Sequence, residues 1–220
     1  MSPKRRAALF DMDRTLVRIN TAPLYVRWQI RRGDARRRDL AKVLWWVARY
    51  SVGMIDAEAI ARSAAKAMRG RDEPSFRADA SEWVRDEVLP HVTQLARDEL
   101  AKRERDGYVC AILTSSTPYA AAPLAAALGI EHVLATHLEV SAGAFTGELL
   151  PPFCYGRGKI TAARQWAERE NVDLAESVFF TDSISDLPML EHVGEPVVVN
   201  PDPRLRVAAW RRGWPVVKWE

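Results

Sequence analysis

Six polar side chains that could do chemistry stand just after short apolar runs of this 220-residue chain. In chain order they are Asp11, Asp13, Thr114, Ser115, Asp182 and Asp186. The first pair follows the run Ala7–Phe10, the second follows residues 108–113, and the third comes shortly after residues 177–180. Apolar runs of this length are typical of buried β-strands. The sequence therefore predicts that these carboxyl and hydroxyl groups collect at strand ends.

Lys159 adds a cation near the beginning of a predicted helix. Four carboxylates, two hydroxyls and one ammonium in a single crevice would suit a hard cation together with a phosphoryl group. Mg²⁺ prefers oxygen ligands from one or two carboxylates and from substrate phosphate. Such a cation also relieves the mutual repulsion of clustered carboxylates. The residue types thus favour magnesium-assisted phosphate chemistry.

The elements that must position these groups alternate along the chain. Strands are predicted at residues 7–10, 108–113, 177–180 and 196–199, with a strand-like stretch at 132–140 and a turn region at Gly143 and Gly147. Helices are predicted from a Thr117 cap to Leu128, over 158–171, and after Asn200–Pro203. This alternation is typical of a parallel sheet with helices on both faces, which binds ligands at the carboxyl ends of its strands.

The region between the first two strands has helical periodicity and almost no strand signal. Its apolar positions recur at helical spacing, and Gly33, Gly53, and Gly70 with Pro74 divide it into several helices. The predicted fold is therefore α/β, with a Rossmann-like parallel sheet core at residues 1–17 and 105–220. An all-helical cap is predicted to be inserted at residues 18–104.

The charge of the chain is concentrated in this cap. Residues 27–49 hold eight basic and two acidic residues, whereas the whole chain has a net charge of only +3. This distribution argues against a uniformly basic nucleic-acid binder. Trp45 and Trp46 could form a membrane-surface or stacking platform, but the stripe of Leu40, Val43, Leu44 and Val47 favours a role in the cap core.

Cysteine content and apolar run lengths point to a compartment. Cys110 and Cys154 are the only cysteines, and their spacing matches no disulfide framework or metal motif. The longest suspicious apolar run, residues 43–48, is far shorter than the roughly 20 residues of a membrane span. We expect a cytoplasmic protein with no stable membrane association and no nucleic-acid partner, present as a monomer or homodimer.

The ordered motifs resemble those of the haloacid-dehalogenase superfamily. They are Asp11-Met12-Asp13-Arg14-Thr15, Thr114 after an apolar strand, Lys159, and Asp182-Ser183-Ile184-Ser185-Asp186. A helical cap between the first two motifs is similar to the phosphoserine-phosphatase-like branch, as are the segments 156–159, 185–190 and 200–202. The resemblance implies a Mg²⁺-dependent phosphatase that hydrolyses a small phosphomonoester through an aspartyl-phosphate intermediate.

The resemblance also implies a role for each matched residue. Asp11 would be the nucleophile and Asp13 the general acid and base. The side chains of Asp11 and Asp182 would bind Mg²⁺ together with the backbone carbonyl of Asp13.

The remaining motif residues would bind the phosphoryl group or support those that do. Thr114 and the backbone N–H of Ser115 would bind phosphoryl oxygens, and Lys159 would offset the charge of the transferring group. Asp186 would orient Lys159 or a water on the metal.

Substrate choice is less determined by the sequence. Arg14 could face the substrate or a carboxylate of the cap. Asn20 stands where phosphoserine phosphatases have a glutamate that recognises the substrate amino group, which counts against strict phosphoserine specificity. The alternatives are a phosphotransferase or phosphonatase-like enzyme of the same fold, or a catalytically weak binding module that uses the basic cap helix. For a phosphonatase, Lys42 and Lys66 lack a supporting motif.

Overall fold

The core of the protein is a six-stranded parallel sheet. The computed structural model describes residues 3–51 and 56–219, with the backbone alone for residues 46–51. The strands in chain order are β1 (Ala7–Phe10), β2 (Val109–Leu113), β3 (His132–Leu134), β4 (His137–Ser141), β5 (Ala144–Leu150), β6 (Val178–Thr181), β7 (Glu195–Val199) and β8 (Val216–Val217). The sheet has the spatial order β3-β2-β1-β6-β7-β8, and β4 pairs with β5 in a separate antiparallel hairpin.

Both faces of the sheet are buried by helices. The helices are α1 (Thr21–Arg32), α2 (Arg37–Ser51), α3 (Ala57–Met68), α4 (Glu73–Trp83), α5 (Gln94–Arg105), α6 (Pro118–Leu128), α7 (Arg157–Arg169), α8 (Leu187–Leu190) and α9 (Pro203–Arg212). One face of the sheet packs on α5 and α6, and the other on α7, α8 and α9. The predicted α/β fold with a Rossmann-like parallel sheet is confirmed.

Alternate residues of the central strands supply the two cores. Phe10 of β1 and Phe180 of β6 are register partners, and their rings stack with centroids 4.7 Å apart on one face. Leu9 and Phe179, one residue earlier in each strand, are fully buried on the other face. Strands buried on both sides need continuous apolar runs, and for this reason their positions could be predicted.

The strand order reverses direction between β1 and β6. Chain connections from β1 lead outward through β2 to β3, whereas β6 lies on the opposite side of β1. The backbone N–H of Asp11 donates to the carbonyl of Phe180 at 2.9 Å, which ties the ends of the two strands together. A crevice opens at such a switch point beyond the carboxyl ends of the strands. The topology therefore brings the first and last carboxylate pairs to one place.

The segment between β1 and β2 is helical, as predicted for the cap, and carries α1 to α5. Gly33 ends α1 in the left-handed conformation, and Gly70 follows α3 with φ +78°. Gly53 lies outside the described residues. Part of the basic charge of residues 27–49 is paired within this segment, because Arg32 contacts Asp79 at 3.0 Å and Glu82 at 3.1 Å.

The strand-like stretch at residues 132–140 contains two strands, β3 and most of β4, and Gly143 lies in the expected turn between β4 and β5. The expectation for Gly147 was wrong, because this residue lies inside β5. The hairpin packs on α3, and a Cβ at Gly147 would lie 3.1 Å from the Arg69 Cβ. Gly147 has φ +85°, a left-handed conformation that favours glycine. A glycine there also allows the close approach of Arg69.

Two details of individual side chains also differ from expectation. Trp45 is 55% exposed, so it is not part of a buried cap core, and the Trp46 side chain lies outside the described residues. Thr117 occupies the N-cap position of α6, but its side chain makes no capping hydrogen bond. Throughout the ranges 3–51 and 56–219, no helix has the length and apolarity required to cross a membrane.

We predict that replacing Glu195 with Gln removes a pH-dependent contribution to stability. Arg103, which is 8% exposed, donates two hydrogen bonds to Glu195 at 2.8 and 2.9 Å and holds the pKa of that carboxyl below its ordinary value of 4.5. The native state therefore favours the charged carboxylate, so the contribution is present above pH 4.5 and is lost as the pH falls through the native pKa.

Urea unfolding at several pH values provides the test. We expect Glu195→Gln to be less stable than the wild type by about 1 kcal/mol at pH 7, since half of the carboxylate is exposed to solvent. The difference should vanish near pH 3. Glu168→Gln, at an exposed position on α7, is the matched control and should show no such trend. A difference that is constant with pH would contradict the assignment.

Candidate active site

A buried lysine joins the ends of the central strands. Lys159 Nζ donates to Asp11 Oδ1 at 2.6 Å and to Asp186 Oδ2 at 2.7 Å, and only 2% of its surface is exposed. Thr181, the last residue of β6, donates its hydroxyl to the same Asp186 oxygen at 2.6 Å. The structure thus brings three of the sequence-predicted site residues into one hydrogen-bonded group.

Lys159 reaches this position because α7 begins with a tight backbone approach. A Cβ at Gly158 would lie only 1.8 Å from the carbonyl oxygen of Phe153, so no residue larger than glycine fits without movement of the backbone. Gly156, at the N-cap, has φ +52°. The two glycines therefore fix the first turn of α7, and Lys159 is directed inward from it.

Asp182 lies beside Arg14 at the same edge. Arg14 Nε is 3.5 Å from Asp182 Oδ2, and the Arg14 backbone has φ +56°. Asn200 donates from its side-chain amide to the Arg14 carbonyl at 3.4 Å. Among the described residues, the guanidinium contacts a carboxylate of the core and not one of the cap. Arg14 also lines the cavity described below, and its role toward the substrate stays a prediction.

Asp13 is linked to the start of the inserted helices. The backbone N–H of Thr21 donates to Asp13 Oδ1 at 3.2 Å. Asn20 is the N-cap of α1, and its side chain accepts a hydrogen bond from the N–H of Ala22 at 3.0 Å. The side-chain oxygen of Asn20 is therefore engaged in holding the helix terminus.

The hydroxyl pair after β2 divides into a buried and a more accessible member. Thr114 is 3% exposed, and its Oγ1 accepts from the N–H of Ser116 at 3.1 Å. Ser115 and Ser116 line the cavity described below, but Thr114 does not. The hydrogen bond with Ser116 lets Thr114 hold the loop after β2 in position. Phosphate binding by Thr114 and Ser115 stays a prediction.

Asp202 has a structural role that the sequence motifs did not indicate. Its Oδ1 accepts from the N–H groups of Arg204 and Leu205, both at 2.8 Å, and its Oδ2 accepts from the N–H of Ile184 at 2.7 Å. Its own N–H donates to the Asp182 carbonyl at 2.9 Å. An Asp directly before a Pro is a helix N-cap signal. That signal predicts the beginning of α9, but it does not predict the hydrogen bond between Asp202 and Asp182.

The carboxylates of the site hold protons more tightly than usual. Burial, opposed by Lys159, raises the pKa of Asp11 to about 7. Burial also raises the pKa of Asp13 to about 6, against the lowering effect of its hydrogen bonds from Thr21. Burial, with added repulsion from Asp11, raises the pKa of Asp182 well above its ordinary range. Burial is the largest cause for all three carboxyl groups, and the nearby cations Lys159 and Arg14 only partly oppose it.

Burial and the nearby carboxylates act in opposite directions on Lys159. Burial disfavours the charged ammonium, but attraction to Asp11 and Asp186 outweighs it, so the pKa of Lys159 is raised above its ordinary value. The lysine is therefore a permanent cation at neutral pH. A fixed cation of this kind can bind an anionic group without any proton transfer.

A cavity of about 560 Å³ opens above these groups. Its floor is charged and includes Asp11, Asp13 and Lys159, while its upper part is lined largely by apolar residues of the inserted helices. Pockets of about 300–1,000 Å³ accommodate small organic molecules. The arrangement can hold a polar, reacting group below and a larger organic body above.

The donor set of the floor suits a hard divalent cation. Asp11, Asp13 and Asp182 supply only oxygen atoms, and Asp186 Oδ1 is buried without a hydrogen-bond partner among the described residues. Across the same ranges, no three His, Cys, Asp or Glu side chains form a ready-made metal-binding group. The residue types and the excess negative charge fit Mg²⁺, although Asp11 and Asp182 are each paired with a cationic side chain.

The chain belongs to the family of haloacid dehalogenase-like hydrolases, because the model of that family matches residues 8–191. It is similar to a phosphoserine phosphatase of Mycobacterium tuberculosis, with 34% identity over 215 residues that cover 96% of this chain and 70% of that protein. It is also similar to a histidinol-phosphatase of Neisseria meningitidis, with 27% identity, 98% of this chain and 100% of that protein.

A solved structure supports the same assignment of the fold. A Bordetella pertussis protein of unknown function superposes with a TM-score of 0.88 at 31% identity, and the match covers 99% of this chain and 100% of that one. The expected hydrolase of phosphatase type, similar to phosphoserine phosphatases, is confirmed at this level.

We predict that Gly158→Ala disrupts the site from outside the cavity. The added methyl group would overlap the Phe153 carbonyl, so either the loop or the first turn of α7 must move, and Lys159 moves with it. Thermal unfolding should show a loss of roughly 1–3 kcal/mol, the usual effect of overpacking. Arg157→Ala, one residue earlier and exposed, is the matched control and should unfold like the wild type. Equal stability of Gly158→Ala would contradict the steric role.

Proposed function

We propose that this protein is a Mg²⁺-dependent phosphatase that hydrolyses a small phosphomonoester through an aspartyl-phosphate on Asp11. The observation that carries the proposal is the position of Asp11. Its carboxylate is held by Lys159 at the floor of a cavity, in a cluster with Asp13 and Asp182. Family membership and relatives named as phosphatases support the same reaction class.

In the first half-reaction, a carboxylate oxygen of Asp11 forms a bond to phosphorus while the bond from phosphorus to the leaving oxygen breaks. Lys159 engages Asp11 Oδ1 at 2.6 Å, so we assign the attack to Oδ2. Asp13 donates a proton to the leaving alkoxide. The raised pKa of Asp13, about 6, supports this assignment, because a carboxyl with that pKa can carry a proton close to neutral pH.

In the second half-reaction, water attacks the phosphorus of the aspartyl-phosphate. Asp13, now a carboxylate, accepts the proton of that water, and inorganic phosphate and the free Asp11 carboxylate are released. Lys159 stays positively charged throughout and offsets the charge of the transferring group. Ser115 lines the cavity and could donate its N–H to a phosphoryl oxygen, with Thr114 holding the loop.

For Mg²⁺, we propose the side chains of Asp11 and Asp182 and the backbone carbonyl of Asp13 as ligands. When bound, the ion would neutralise charge on the carboxylates and on the phosphoryl oxygens. Arg14 contacts Asp182 at 3.5 Å and already partly neutralises it. Asp186 positions Lys159 through the 2.7 Å bond and is not itself assigned as a ligand.

The organisation of the chain follows from this site. We propose that residues 18–104 form the cap over a core of residues 1–17 and 105–220, and that the substrate enters between them. Asn20 and Arg14 are assigned to the substrate side of the cavity, which both of them line. The two cysteines are buried and form no disulfide, which supports the proposal of a cytoplasmic enzyme. We propose that it acts as a monomer or homodimer.

Replacing Asp11 with Asn should abolish the covalent step. We expect kcat for p-nitrophenyl phosphate or for the best substrate of a metabolite phosphate panel to fall at least about a thousandfold, since the nucleophile is removed. Rapid quenching with labelled substrate should trap a hydroxylamine-sensitive acyl phosphate in the wild type and none in Asp11→Asn. Asp106→Asn, at the exposed end of α5, is the control and should keep both signals. Full activity of Asp11→Asn would rule out the mechanism.

Mg²⁺ binding should also be visible without turnover. Because the ion relieves repulsion among the site carboxylates, saturating Mg²⁺ should raise Tm by roughly 2–4 °C per kcal/mol of binding free energy. Asp182→Asn should lose most of this shift, whereas Asp106→Asn should retain it. Chelation with EDTA should remove wild-type activity, and added Mg²⁺ should restore it. An unchanged Tm and EDTA-resistant activity would contradict the metal assignment.

A further inference from the structure

The upper half of the cavity is apolar to an extent that phosphate chemistry does not require. Its lining includes Val43 of α2, Ile60 of α3, Phe76 of α4 and Tyr25 of α1, so four separate helices of the inserted segment contribute to one apolar surface. The apolar surface continues onto the core at Tyr119 of α6. This half is joined to the charged floor within the same 560 Å³ cavity.

Among the described residues that line the cavity, the charged ones belong to the core. Among the described cavity-lining residues that come from the cap, none is charged, and their polar members near the floor are Asn20 and Thr21. The side-chain oxygen of Asn20 accepts from the N–H of Ala22, so it is already engaged. A leaving group with an ammonium and a carboxylate, as in phosphoserine, would have both charges desolvated there, with no partner of opposite sign among the described cap residues that line the cavity.

The aromatic side chains of this half form a connected group. Tyr25 meets Trp83 edge to face with ring centroids 5.0 Å apart, and it meets Phe76 at 6.3 Å. Phe76 in turn meets Tyr119 at 5.1 Å, again edge to face. Such geometry is the favourable one for aromatic pairs.

The polar ends of these tyrosines have partners elsewhere. The Tyr25 hydroxyl accepts from the Gln29 side chain at 3.1 Å. Burial, together with a hydrogen bond to Glu73, raises the pKa of the Tyr119 phenol to about 12. The two hydroxyls are therefore engaged within the protein, and the recognition available to a ligand from these side chains is mainly through their rings.

We propose that the preferred substrate is a phosphomonoester of an alcohol with an uncharged, aromatic or similarly apolar body, and that the apolar cap wall, centred on Phe76 and Tyr25, selects it. This inference rests on the proposed phosphatase function and specifies its substrate class. The phosphoryl group would lie on the charged floor, and the apolar body would extend toward α3 and α4. Binding energy from the body would then position the ester for attack.

Three primary alkyl phosphates with poor leaving groups test the proposal: ethyl phosphate, 2-phenylethyl phosphate and O-phosphoserine. We expect kcat/KM for the 2-phenylethyl ester to exceed that for the ethyl ester on the order of thirtyfold, from the burial of one phenyl ring. Phosphoserine should be a poorer substrate than the ethyl ester. Equal values for the two alkyl esters, or a preference for phosphoserine or histidinol phosphate, would overturn the proposal.

A charge placed in the wall should remove the preference. Ala61 of α3 lines the cavity, whereas Ala67 is exposed on the same helix and does not line it. Ala61→Asp should lower the ratio of the two kcat/KM values at least tenfold, while Ala67→Asp should leave the ratio and both values unchanged. A ratio that is the same in both variants would count against recognition by the cap wall.

A binding measurement on the wild type covers the case in which Ala61→Asp does not fold. The non-hydrolysable 2-phenylethylphosphonate should raise Tm more than ethylphosphonate at equal concentration, and equal shifts would contradict the proposal. Different results would contradict the proposed function and the proposed substrate class. If no phosphate ester, including p-nitrophenyl phosphate, is hydrolysed with Mg²⁺, the proposed function is wrong. If the ethyl and phenylethyl esters are hydrolysed equally well, only the substrate class is wrong.

Discussion

The structure depends on one buried ammonium held between two carboxylates. Lys159 is almost fully buried, and its removal from water is compensated by contacts to Asp11 at 2.6 Å and Asp186 at 2.7 Å. Removing one member of such a buried group leaves an uncompensated charge, which is strongly destabilising. The tight turn at Gly158 and the hydroxyl of Thr181 both serve to hold this arrangement. The same contacts place a permanent cation beside the proposed nucleophile.

The cavity separates two kinds of interaction. At the floor, clustered carboxylates and two cations lie in a poorly solvated space, and burial raises the pKa values of Asp11 and Asp13. At the cap wall, aromatic and aliphatic side chains form an uncharged surface that can bury an apolar group. In the proposed function, the reaction takes place at the floor and the wall selects the organic group.

The strands and the positions of the polar residues on the floor were predictable from the sequence, while the hairpin and the cap surface were not. β1, β2, β6 and β7 are buried on both faces, so each requires an uninterrupted apolar run, and such runs stand out in a sequence. The hairpin β4–β5 is partly exposed and contains Gly147. In the sequence this glycine indicates a turn, and only the structure shows its close contact with Arg69. The exposure of Trp45 depends on how α2 packs, which helical periodicity does not specify. Asp202 was identifiable as a helix cap, but its link to the Asp182 loop joins segments twenty residues apart.

The sequence by itself determined which groups could react and at which strand ends they stand. Asp11, Asp13 and Asp182 follow apolar runs, and this local pattern is sufficient to place them at one edge of a parallel sheet. Only the tertiary structure decided which groups touch. It joined Lys159 to Asp11 and also to Asp186, for which the motif resemblance offered Lys159 as one of two partners. It placed Arg14 beside Asp182 and closed an apolar wall from residues of four helices. These contacts arise from packing between distant segments, where burial and distance set the strength of each interaction, and neither quantity is encoded in local spacing.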